Sequence, residues 1–499
     1  MHDSAFVILA AGRGTRVGRV GVSLHKALLP LNQRAIITRL IDLAPDDADV
    51  IICLGHRGDQ IKEFIRLAHP NLKVTFIDVH GWDESGGGPG LSLLAAHDAV
   101  GYQDMLFTSC DTLWNETDLD SQPAGSWAGV APVPAGTQPA RWCRIITAGD
   151  RALSVLDKVP DGPTGVAYTG LGRIIKEDLE AFWGGVLAGT PLAGEHQVTG
   201  GLEALASTNH LNVHRIHWTD VGDAAAYSHA VTATSGYDWT KADEATYVMP
   251  DQGRVVKFWD DVAVGNRSAE RADYIGDAVP TLVDRGRQML AYKYVPGTTM
   301  YEALKAAPIE YPFTRLYQWA AHNMWLPVDD ARDVEIAAYN FYRNKTLERV
   351  EMLRAELFVQ ASDAVARVNW DELVKGVVPC RFHGDLNAGN VIVSEDGEFV
   401  GIDWRGDFAG NRWGDRRYDE AKLLAGCVIH WDRARRGDFR PWEDGDRYFA
   451  EVLECVPEKR RRDVQTIGAL SLLNSAPLHV QPLDDVLVVR GVRWLETLA

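Results

Sequence analysis

Residues 6–16 read Phe-Val-Ile-Leu-Ala-Ala-Gly-Arg-Gly-Thr-Arg, so an apolar run passes directly into a glycine-rich turn. The run predicts a buried strand, and the two glycines predict a tight turn whose backbone N–H groups can approach a phosphate closely. Arg16 closes the turn, and Lys26 opens the later segment Lys-Ala-Leu-Leu-Pro-Leu. Fixed positive charge beside such a turn suits a site where a triphosphate is bent and a pyrophosphate leaves.

The residues that follow alternate between strand and helix patterns. Short apolar runs at 50–54, 74–79 and 105–108 predict strands, and the stretches at 36–43 and 59–68 predict helices. Strands alternating with helices at this spacing predict a parallel sheet with helices on both faces. The first part of the chain is therefore expected to have an α/β fold.

The composition limits the classes of function. The chain has 499 residues, enough for two or three domains, and a net charge of −18 that is shared equally between the parts before and after residue 234. Neither half is basic, which argues against general affinity for nucleic acid or anionic membranes. The six cysteines lack metal-ligand spacing, and neither a leader pattern nor a run of about 18 apolar residues is present. We expect a cytoplasmic protein without structural zinc, disulfides, nucleic-acid partners or membrane insertion.

The alternating pattern ends near residues 230–245, which predicts a domain boundary. We expect one domain at 1–232 and a second at 233–499. The strands and helical regions predicted after the boundary lie at 245–249, 254–259, 288–295, 301–373 and 417–499. A smaller lobe at about 240–297 would then precede a larger, mainly helical lobe at about 298–499.

The first domain resembles the nucleotidyltransferase family that activates sugar phosphates and phosphocholine. In that family a Gly-x-Gly-Thr-Arg turn precedes a Lys-x-Leu-Leu-Pro segment at about this spacing. The resemblance covers about the first 230 residues and implies a Rossmann-like, GT-A-like domain in which Arg16 and Lys26 are catalytic. The residues that it assigns to nucleotide binding are Leu9, Ala11, Gly12, Gly14, Thr15 and, in the glycine-rich run 86–94, Gly88.

The same resemblance implies a divalent-metal site. Asp111, in Ser-Cys-Asp, stands where the family has its first metal-binding aspartate, and Asp220, in Trp-Thr-Asp-Val-Gly-Asp, matches the second, with Asp223 as an alternative. Two converging carboxylates suit Mg²⁺, which takes the rest of its shell from water and phosphate oxygens. Lys158, in Leu-Asp-Lys-Val-Pro, and Gly170, in Tyr-Thr-Gly-Leu, match substrate-binding positions of the family.

A second set of polar residues lies in the second domain. His-Gly-Asp-Leu-Asn-Ala-Gly-Asn occupies 383–390, and Gly-Ile-Asp-Trp occupies 401–404. The interval from Asp385 to Asn390 is that of a kinase catalytic loop, and Asp403 stands in the place of the later metal aspartate. Asp385 would orient a substrate hydroxyl and accept its proton, while Asn390 and Asp403 would hold Mg²⁺ on the phosphates of ATP.

This run is similar to the aminoglycoside phosphotransferase and choline kinase family, which shares the protein-kinase architecture. The resemblance implies an α+β, two-lobed kinase-like domain. It assigns ATP binding to Lys257, to its helix partner Glu270 and to Tyr294 in the hinge between the lobes. A glycine-rich lid over the phosphates is not evident in the sequence. Asp415 and Asp419 are expected to hold the catalytic loop rather than to react.

The two resemblances together imply consecutive reactions, because a small-molecule kinase makes a phosphomonoester and a nucleotidyltransferase consumes one. We therefore expect a bifunctional enzyme that phosphorylates an alcohol with ATP, transfers a nucleotidyl group to the product and releases pyrophosphate, with Mg²⁺ at both sites. His25 before Lys26, and Ser-Leu-Leu at 92–94, favour CTP as the nucleotide. The runs at 403–408 and 414–423 resemble kinase-fold proteins encoded with surface-polysaccharide (capsule) genes.

The acceptor alcohol stays open at this stage. Trp404, Trp413 and Trp431 near the kinase loop could cage a quaternary amine such as choline, although tryptophans of this kind are more often core residues. The alternatives are a sugar 1-kinase joined to a uridylyl-, thymidylyl- or guanylyltransferase, a domain that binds nucleotide without catalysis, and phosphorylation of an aminoglycoside. A homo-oligomer is also left open.

Overall fold

The computed structural model describes residues 4–84, 87–160, 162–192, 194–235, 240–307, 309–329 and 331–498, except for the side chains of residues 19 and 20. The chain divides into two compact units. The first unit comprises Met1–Thr234, Thr240–Val248 and Val256–Asp260, and the second comprises Ser235–Trp239, Met249–Val255 and Asp261–Ala499. The expected boundary at residues 232 and 233 adjoins 236–239, which lie outside the described residues, and it stays a prediction.

A nine-stranded sheet forms the centre of the first unit. Its strands, β1 to β9 in chain order, are Ser4–Ala10, Ala48–Leu54, Val74–Asp78, Asp104–Ser109, Trp127–Ala131, Cys143–Ala148, Arg151–Asp157, Val166–Ile174 and Asn212–Arg215. They lie in the order β3-β2-β1-β4-β8-β5-β9-β7-β6. The strands predicted at 50–54, 74–79 and 105–108 are confirmed as β2, β3 and β4.

The predicted parallel arrangement holds for the first four strands only. β1 lies parallel between β2 and β4, and β2 lies parallel to β3. Beyond β4 the sheet is mixed, because β8 runs antiparallel to β4 and β6 runs antiparallel to β7. Only Gly149 and Asp150 join β6 to β7, and a two-residue turn connects antiparallel neighbours, whereas parallel strands need a long crossover.

The register of the sheet brings the ends of β1 and β4 together. Leu9 of β1 lies opposite Ser109 of β4, and the N–H of Cys110 donates to the carbonyl of Leu9 at 3.2 Å. The glycine-rich turn after β1 and Asp111 after β4 therefore leave the same edge of the sheet. In open α/β sheets, ligands bind at this edge, beyond the carboxyl ends of the strands.

The helices of the first unit supply much of its core. The helices that begin in this unit, α1 to α7, are Ile36–Asp42, Gly58–Ala68, Pro89–Ala95, His97–Val100, Leu179–Ala188, Thr199–Ser207 and Ala224–Ser235. The helices predicted at 36–43 and 59–68 are confirmed as α1 and α2. Phe182 of α5 packs on Phe107 of β4, with ring centroids 5.8 Å apart, and both rings are buried. Such aromatic packing fixes α5 against the sheet.

A four-stranded sheet has the order Glu244–Met249, Arg254–Trp259, Met289–Lys293 and Leu282–Arg285, which confirms the strands predicted between 245 and 295. A three-stranded sheet of Thr298–Thr299, Val391–Val393 and Phe399–Gly401 adjoins the candidate kinase loop. The helices that follow, α8 to α19, are Val262–Ile275, Met300–Ala306, Pro312–Asn323, Val334–Ala338, Lys345–Glu351, Ala355–Val365, Trp370–Lys375, Arg416–Val428, Trp431–Ala434, Gly445–Cys455, Arg461–Ser475 and Leu483–Glu496. Among the described residues, none of the helices is long and apolar enough to cross a membrane.

A buried ion-pair network joins the helices of the second unit. The Arg417 guanidinium, at the start of α15, donates to Asp415 at 2.9 Å and to Asp463 of α18 at 2.7 Å. The Tyr342 hydroxyl donates to the same Asp415 carboxylate at 2.8 Å. Arg417 and Asp415 are wholly buried, so each needs the other to offset the loss of hydration.

Arg417→Leu is expected to lower the free energy of unfolding of the second unit by about 3–5 kcal/mol, because it leaves the Asp415 carboxylate buried without a counter-charge. Urea unfolding followed by tryptophan fluorescence measures the loss. The control is Lys375→Ala, which removes the lysine of an exposed pair with Glu372 and should leave the transition in place. Equal unfolding midpoints for the two variants would contradict the assignment.

Candidate active sites

The glycine-rich turn of the first unit is shaped by Gly14. Gly14 has φ +64°, and a Cβ added there would lie 3.1 Å from the Cβ of Lys26. Both the backbone angle and the close approach favour glycine, which lets Lys26 lie directly against the turn. Of the other predicted nucleotide-binding residues, Leu9 and Ala11 are buried, while Gly12, Thr15 and the predicted catalytic Arg16 are exposed.

An ion pair joins Lys26 to Asp111, with Nζ and Oδ2 2.9 Å apart. The buried ring of His25 caps the turn that carries Lys26 by accepting from the N–H of Ala27 at 3.0 Å. Burial disfavours charge on both partners, but their mutual attraction outweighs it, so the pKa of Lys26 is raised and the pKa of Asp111 is lowered. Both groups therefore stay ionised at neutral pH.

Asp220 faces the same point as Asp111. A Cβ added at Gly222 would lie 3.0 Å from Oδ1 of Asp220 and 3.2 Å from Oδ2 of Asp111, so the two carboxylates converge. Burial, and then the charges of Asp111 and Asp223, raise the pKa of Asp220. This repulsion between carboxylates is what a divalent cation would relieve, and oxygen ligands suit Mg²⁺.

Asp223 is engaged differently from Asp220. Its carboxylate accepts from the N–H of Ala226 at 2.9 Å and pairs with Arg141. The helix N–H bond and the Arg141 contacts lower the pKa of Asp223. Among the described residues, no group of three or more His, Cys, Asp and Glu side chains could hold a metal ion. A cation at Asp111 and Asp220 would therefore complete its shell with phosphate oxygens and water.

The cleft at this edge of the sheet brings together six of the twelve predicted transferase residues. Its lining includes Leu9, Arg16, Asp111, Lys158, Gly170 and Asp220. The exposed Lys158 has φ +53°, a conformation that residues other than glycine adopt at a cost, often at functional sites. The cleft also contains Arg141, Trp142 and Trp218, whose two indoles meet edge to face with centroids 5.2 Å apart. Sequence reasoning missed these three residues because they lie in or beside loops without periodic pattern.

Gly88 precedes helix α3 and packs against another loop. It has φ +115°, and a Cβ added there would lie 2.7 Å from the carbonyl oxygen of His196. The N–H of His196 donates to the carbonyl of Gly87 at 2.7 Å, which ties the two loops together. Gly86, at the start of the glycine-rich run 86–94, lies outside the described residues.

In the second unit, the structure brings Asp385 and Asn390 together. Nδ2 of Asn390 donates to Oδ2 of Asp385 at 2.9 Å, which leaves Oδ1 as the Asn390 atom that could bind a cation. The ammonium of Lys422 lies 2.7 Å from Oδ1 of Asp385. Burial would raise the pKa of Asp385, but Lys422 outweighs it and holds that pKa below its ordinary value.

The candidate kinase loop is held by buried polar side chains. The Asp419 carboxylate accepts from the N–H groups of His383 at 2.6 Å and Gly384 at 2.7 Å, and from the indole of Trp325 at 2.9 Å. The buried guanidinium of Arg271 donates to backbone carbonyls on the same side, among them that of Phe382. Asp419 thus has the loop-holding contacts expected of it, and burial raises its pKa to about 6.

Asp403 follows directly from a strand that is bonded to the loop. The N–H of Ile402 donates to the carbonyl of Asn390 at 2.8 Å. This bond holds the backbone just before Asp403 against the backbone of Asn390. Asp403 itself has φ +59°. A carboxylate and an amide oxygen, as at Asp403 and Asn390, are ligand types that suit Mg²⁺.

The three predicted ATP-binding residues differ in burial and in their contacts. Lys257 is half-buried on the strand Arg254–Trp259, and the half-buried Tyr294 donates its backbone N–H to Gly253 at 2.9 Å. Glu270 of α8 is exposed and forms no ion pair among the described residues. The next residue, Arg271, is the buried one, and no pattern in the sequence indicates its contact with the kinase loop.

The tryptophans considered for an amine cage are otherwise engaged. Trp404 and Trp413 are buried, and the indole N–H of Trp404 donates to the carbonyl of Ser268 at 2.9 Å. The ring of Trp431 lies 5.8 Å from the ammonium of Lys422. Since two rings belong to the core and the third already faces a cation, these residues do not form an open cage.

Two family models match the chain, one in each candidate site region. Residues 6–153, which include Lys26 and Asp111, match the MobA-like NTP transferase domain. Residues 274–452, which include Asp385, Asn390 and Asp403, match the phosphotransferase enzyme family. No curated protein matches the chain significantly.

Solved structures similar to part of the chain include three nucleotide-dependent transferases. A UDP-glucose pyrophosphorylase complexed with UDP-glucose is 16% identical, with 47% of this chain and 98% of that chain covered and a TM-score of 0.40. UTP-bound UGPase from Acinetobacter baumannii is 16% identical, with 48% and 96% covered and a TM-score of 0.37. The inositol-1-phosphate CTP transferase from T. maritima is 13% identical, with 45% and 91% covered and a TM-score of 0.36.

The predicted fold classes and the predicted pair of enzyme activities agree with the two family matches. One part of the chain is thus similar to NTP transferase domains and another to the phosphotransferase enzyme family, and the chain is a nucleotidyltransferase and kinase in one polypeptide.

Proposed function

We propose that the two domains catalyse consecutive reactions on one small molecule. The kinase converts an alcohol X–OH and ATP into X–phosphate and ADP, and the transferase converts X–phosphate and CTP into CDP–X and pyrophosphate. The observation that carries this proposal is that each unit has its own carboxylate–lysine site, Asp111 with Lys26 and Asp385 with Lys422. The product of one site has the chemistry of a substrate of the other.

In the kinase half, Asp385 orients the hydroxyl of X–OH and receives its proton as the oxygen attacks the γ-phosphorus of ATP. The bond between that phosphorus and the β,γ-bridging oxygen breaks, and ADP leaves. Asn390 holds Asp385 in place through its amide, and its Oδ1, with Asp403, would bind the Mg²⁺ that neutralises charge on the phosphates. Lys422 keeps Asp385 ionised before the hydroxyl arrives.

In the transferase half, a phosphate oxygen of X–phosphate attacks the α-phosphorus of CTP, and pyrophosphate leaves in line. No covalent enzyme intermediate is needed, so positioning and charge neutralisation carry the rate. Lys26 and Arg16 would stabilise the charge that develops on the leaving phosphates, and Lys158 would bind the phosphate of X. Asp111 and Asp220 would hold Mg²⁺ between the reacting groups.

We also propose CTP as the nucleotide, the cytoplasm as the location and the synthesis of surface polysaccharide as the use of the product. His25 is buried, and burial followed by the charge of Lys26 lowers its pKa to about 3, so it stays neutral and shapes the Lys26 turn. Together with the Ser-Leu-Leu run at 92–94, this segment favours CTP. Both reactions consume nucleoside triphosphates, which suits an activated precursor made in the cytoplasm.

Asp111→Asn and Asp385→Asn are expected to separate the two reactions. Asp111→Asn should lower nucleotidyl transfer by about 10²–10³-fold and leave phosphorylation intact, because it removes one carboxylate from the candidate metal pair. Asp385→Asn should lower phosphorylation by about 10²–10⁴-fold and leave transfer to supplied X–phosphate intact. Product masses with ATP, Mg²⁺, each NTP and a panel of alcohols measure both. Loss of both activities in each variant would rule out independent sites.

Gly14→Ala is expected to lower nucleotidyl transfer by at least about ten-fold, because its methyl group would press on the Lys26 side chain and shift its ammonium. Steady-state rates of pyrophosphate release measure the effect. Gly253→Ala is the matched control, since Gly253 has nearly the same left-handed backbone, with φ +62° and ψ +29° against φ +64° and ψ +31° at Gly14, but a Cβ there meets nothing within 4 Å. It carries the same backbone strain without touching Lys26. If both variants lost the same fraction of the transfer rate, the loss would come from backbone strain and not from displacement of Lys26.

A further inference from the structure

A group of cationic side chains surrounds the candidate phosphoryl-transfer site. We call Lys345, Arg405 and Lys422 the basic cluster. Nζ of Lys345 lies 4.5 Å from the centroid of the Phe341 ring, and Cζ of Arg405 lies 5.1 Å from the same centroid. Lys422 pairs with Asp385. Lys345 and Arg405 thus share one aromatic ring, and Lys422, from a third segment, pairs with the candidate catalytic carboxylate.

The backbone fixes Arg405 next to the kinase loop. Its N–H donates to the carbonyl of His383 at 2.9 Å, and a Cβ added at Gly384 would lie 2.5 Å from the Cβ of Arg405. Arg405 is therefore close to the carboxylate that would orient the acceptor hydroxyl.

The basic cluster has more positive charge than its carboxylates neutralise. Asp385 is paired with Lys422, and the nearby Asp407 has its own partner, Arg267, at 3.2 Å. Within the described part of the chain, neither Lys345 nor Arg405 forms an ion pair. Such an excess of like charge at half-buried positions is unfavourable unless an anion binds there.

The pKa of Lys345 reflects its burial and the repulsion among these cations. Burial, and then the charges of Arg405, Arg349 and Lys422, lower the pKa of Lys345 to about 6. Without a bound anion, the basic cluster is therefore relieved by loss of the Lys345 proton near neutral pH, and a bound anion would restore that charge. Lys345 also directly follows a π-helical segment, Tyr339–Asn344, an irregularity that is frequent at functional sites. Lys345, Arg405 and Arg349 are half-buried rather than enclosed, so a small solute can reach them.

We propose that the alcohol phosphorylated at Asp385 carries a permanent anionic group, a carboxylate or a phosphate ester, that binds the basic cluster. This inference rests on the proposed kinase function and names the class of its acceptor. It disfavours a cationic acceptor such as choline, because an ammonium group would add to the excess positive charge. The phosphates of ATP would instead bind at Asn390 and Asp403, on the metal side of Asp385.

The first test compares acceptors matched in size but different in charge, using purified full-length protein with ATP and Mg²⁺. The pairs are glycerol against glycerate and glycerol 3-phosphate, and galactose against galacturonate and galactose 6-phosphate, with choline as the cationic member. We expect a kcat/KM at least about ten-fold higher for an anionic member than for its neutral partner. The carboxylate and phosphate arms show which anion is preferred. Preference for a neutral or cationic alcohol, or no phosphorylation of any anionic member, would overturn the inference.

Failure of the kinase proposal itself gives a different result. In that case the protein would neither bind Mg·ATP nor hydrolyse it in the absence of acceptor. A protein that binds ATP and phosphorylates only neutral alcohols would retain the kinase function and exclude the anionic acceptor.

The second test removes one cluster charge. Lys345→Gln is expected to raise the KM for the best anionic acceptor by about ten-fold and to leave the KM for ATP unchanged. Lys345→Arg, which keeps the charge, should restore the acceptor KM to within about two-fold. Lys375→Gln removes an exposed lysine elsewhere in the second unit and is the control. A raised KM for ATP with an unchanged acceptor KM would assign the cluster to the nucleotide and overturn the inference.

Discussion

A partly exposed carboxylate is kept ionised in each unit by the ammonium of a more deeply buried lysine placed against it. In the first unit the pair is Asp111 with Lys26, and in the second it is Asp385 with Lys422. Burial alone would push both carboxyl groups towards the neutral form, which can neither bind a metal ion nor accept a proton. The folds around the two pairs differ, yet both solve this problem in the same way. The chemistry proposed for each site depends on these two ion pairs.

Much of the candidate sites could be predicted because their residues are adjacent in sequence. The turn at 9–16 and the loop at 383–390 are short, and their spacing by itself fixes which side chains can meet. Lys422 could not be assigned in this way, since only the packing of α15 brings it to Asp385. Glu270 and Arg271 show the same limit within one helix. Adjacent helical residues point about 100° apart, so the sequence does not decide which of them faces the loop.

The fold was predicted best where strands and helices alternate. The parallel strands β1 to β4 followed from that alternation, whereas the mixed half of the sheet did not. Strands β5 to β8 are joined by one hairpin and by irregular segments, and β9 follows helices α5 and α6. Their order in the sheet depends on pairings between residues far apart in sequence. Arg141, Trp142 and Trp218 reach the transferase cleft through this half of the unit. The residues on the substrate side of that cleft were therefore the hardest to predict from the sequence.

The net charge of the whole chain is negative, whereas the candidate sites carry local positive charge. The net charge is −18, but cations concentrate where phosphates or other anions are expected to bind. An acidic surface gives no electrostatic path for an anionic phosphomonoester, so free diffusion between the two sites is the simplest expectation. Local positive charge at each site would then do the binding.

The most direct measurement follows the label from CTP that carries a radioactive α-phosphate, in the presence of the acceptor panel and Mg²⁺, with and without ATP. The account predicts label in a CDP-linked product only when ATP is present, and without ATP only when X–phosphate is supplied. Transfer of label to an unphosphorylated alcohol in the absence of ATP would contradict the consecutive reactions. Absence of transfer from every NTP, with X–phosphate supplied, would contradict the transferase step itself.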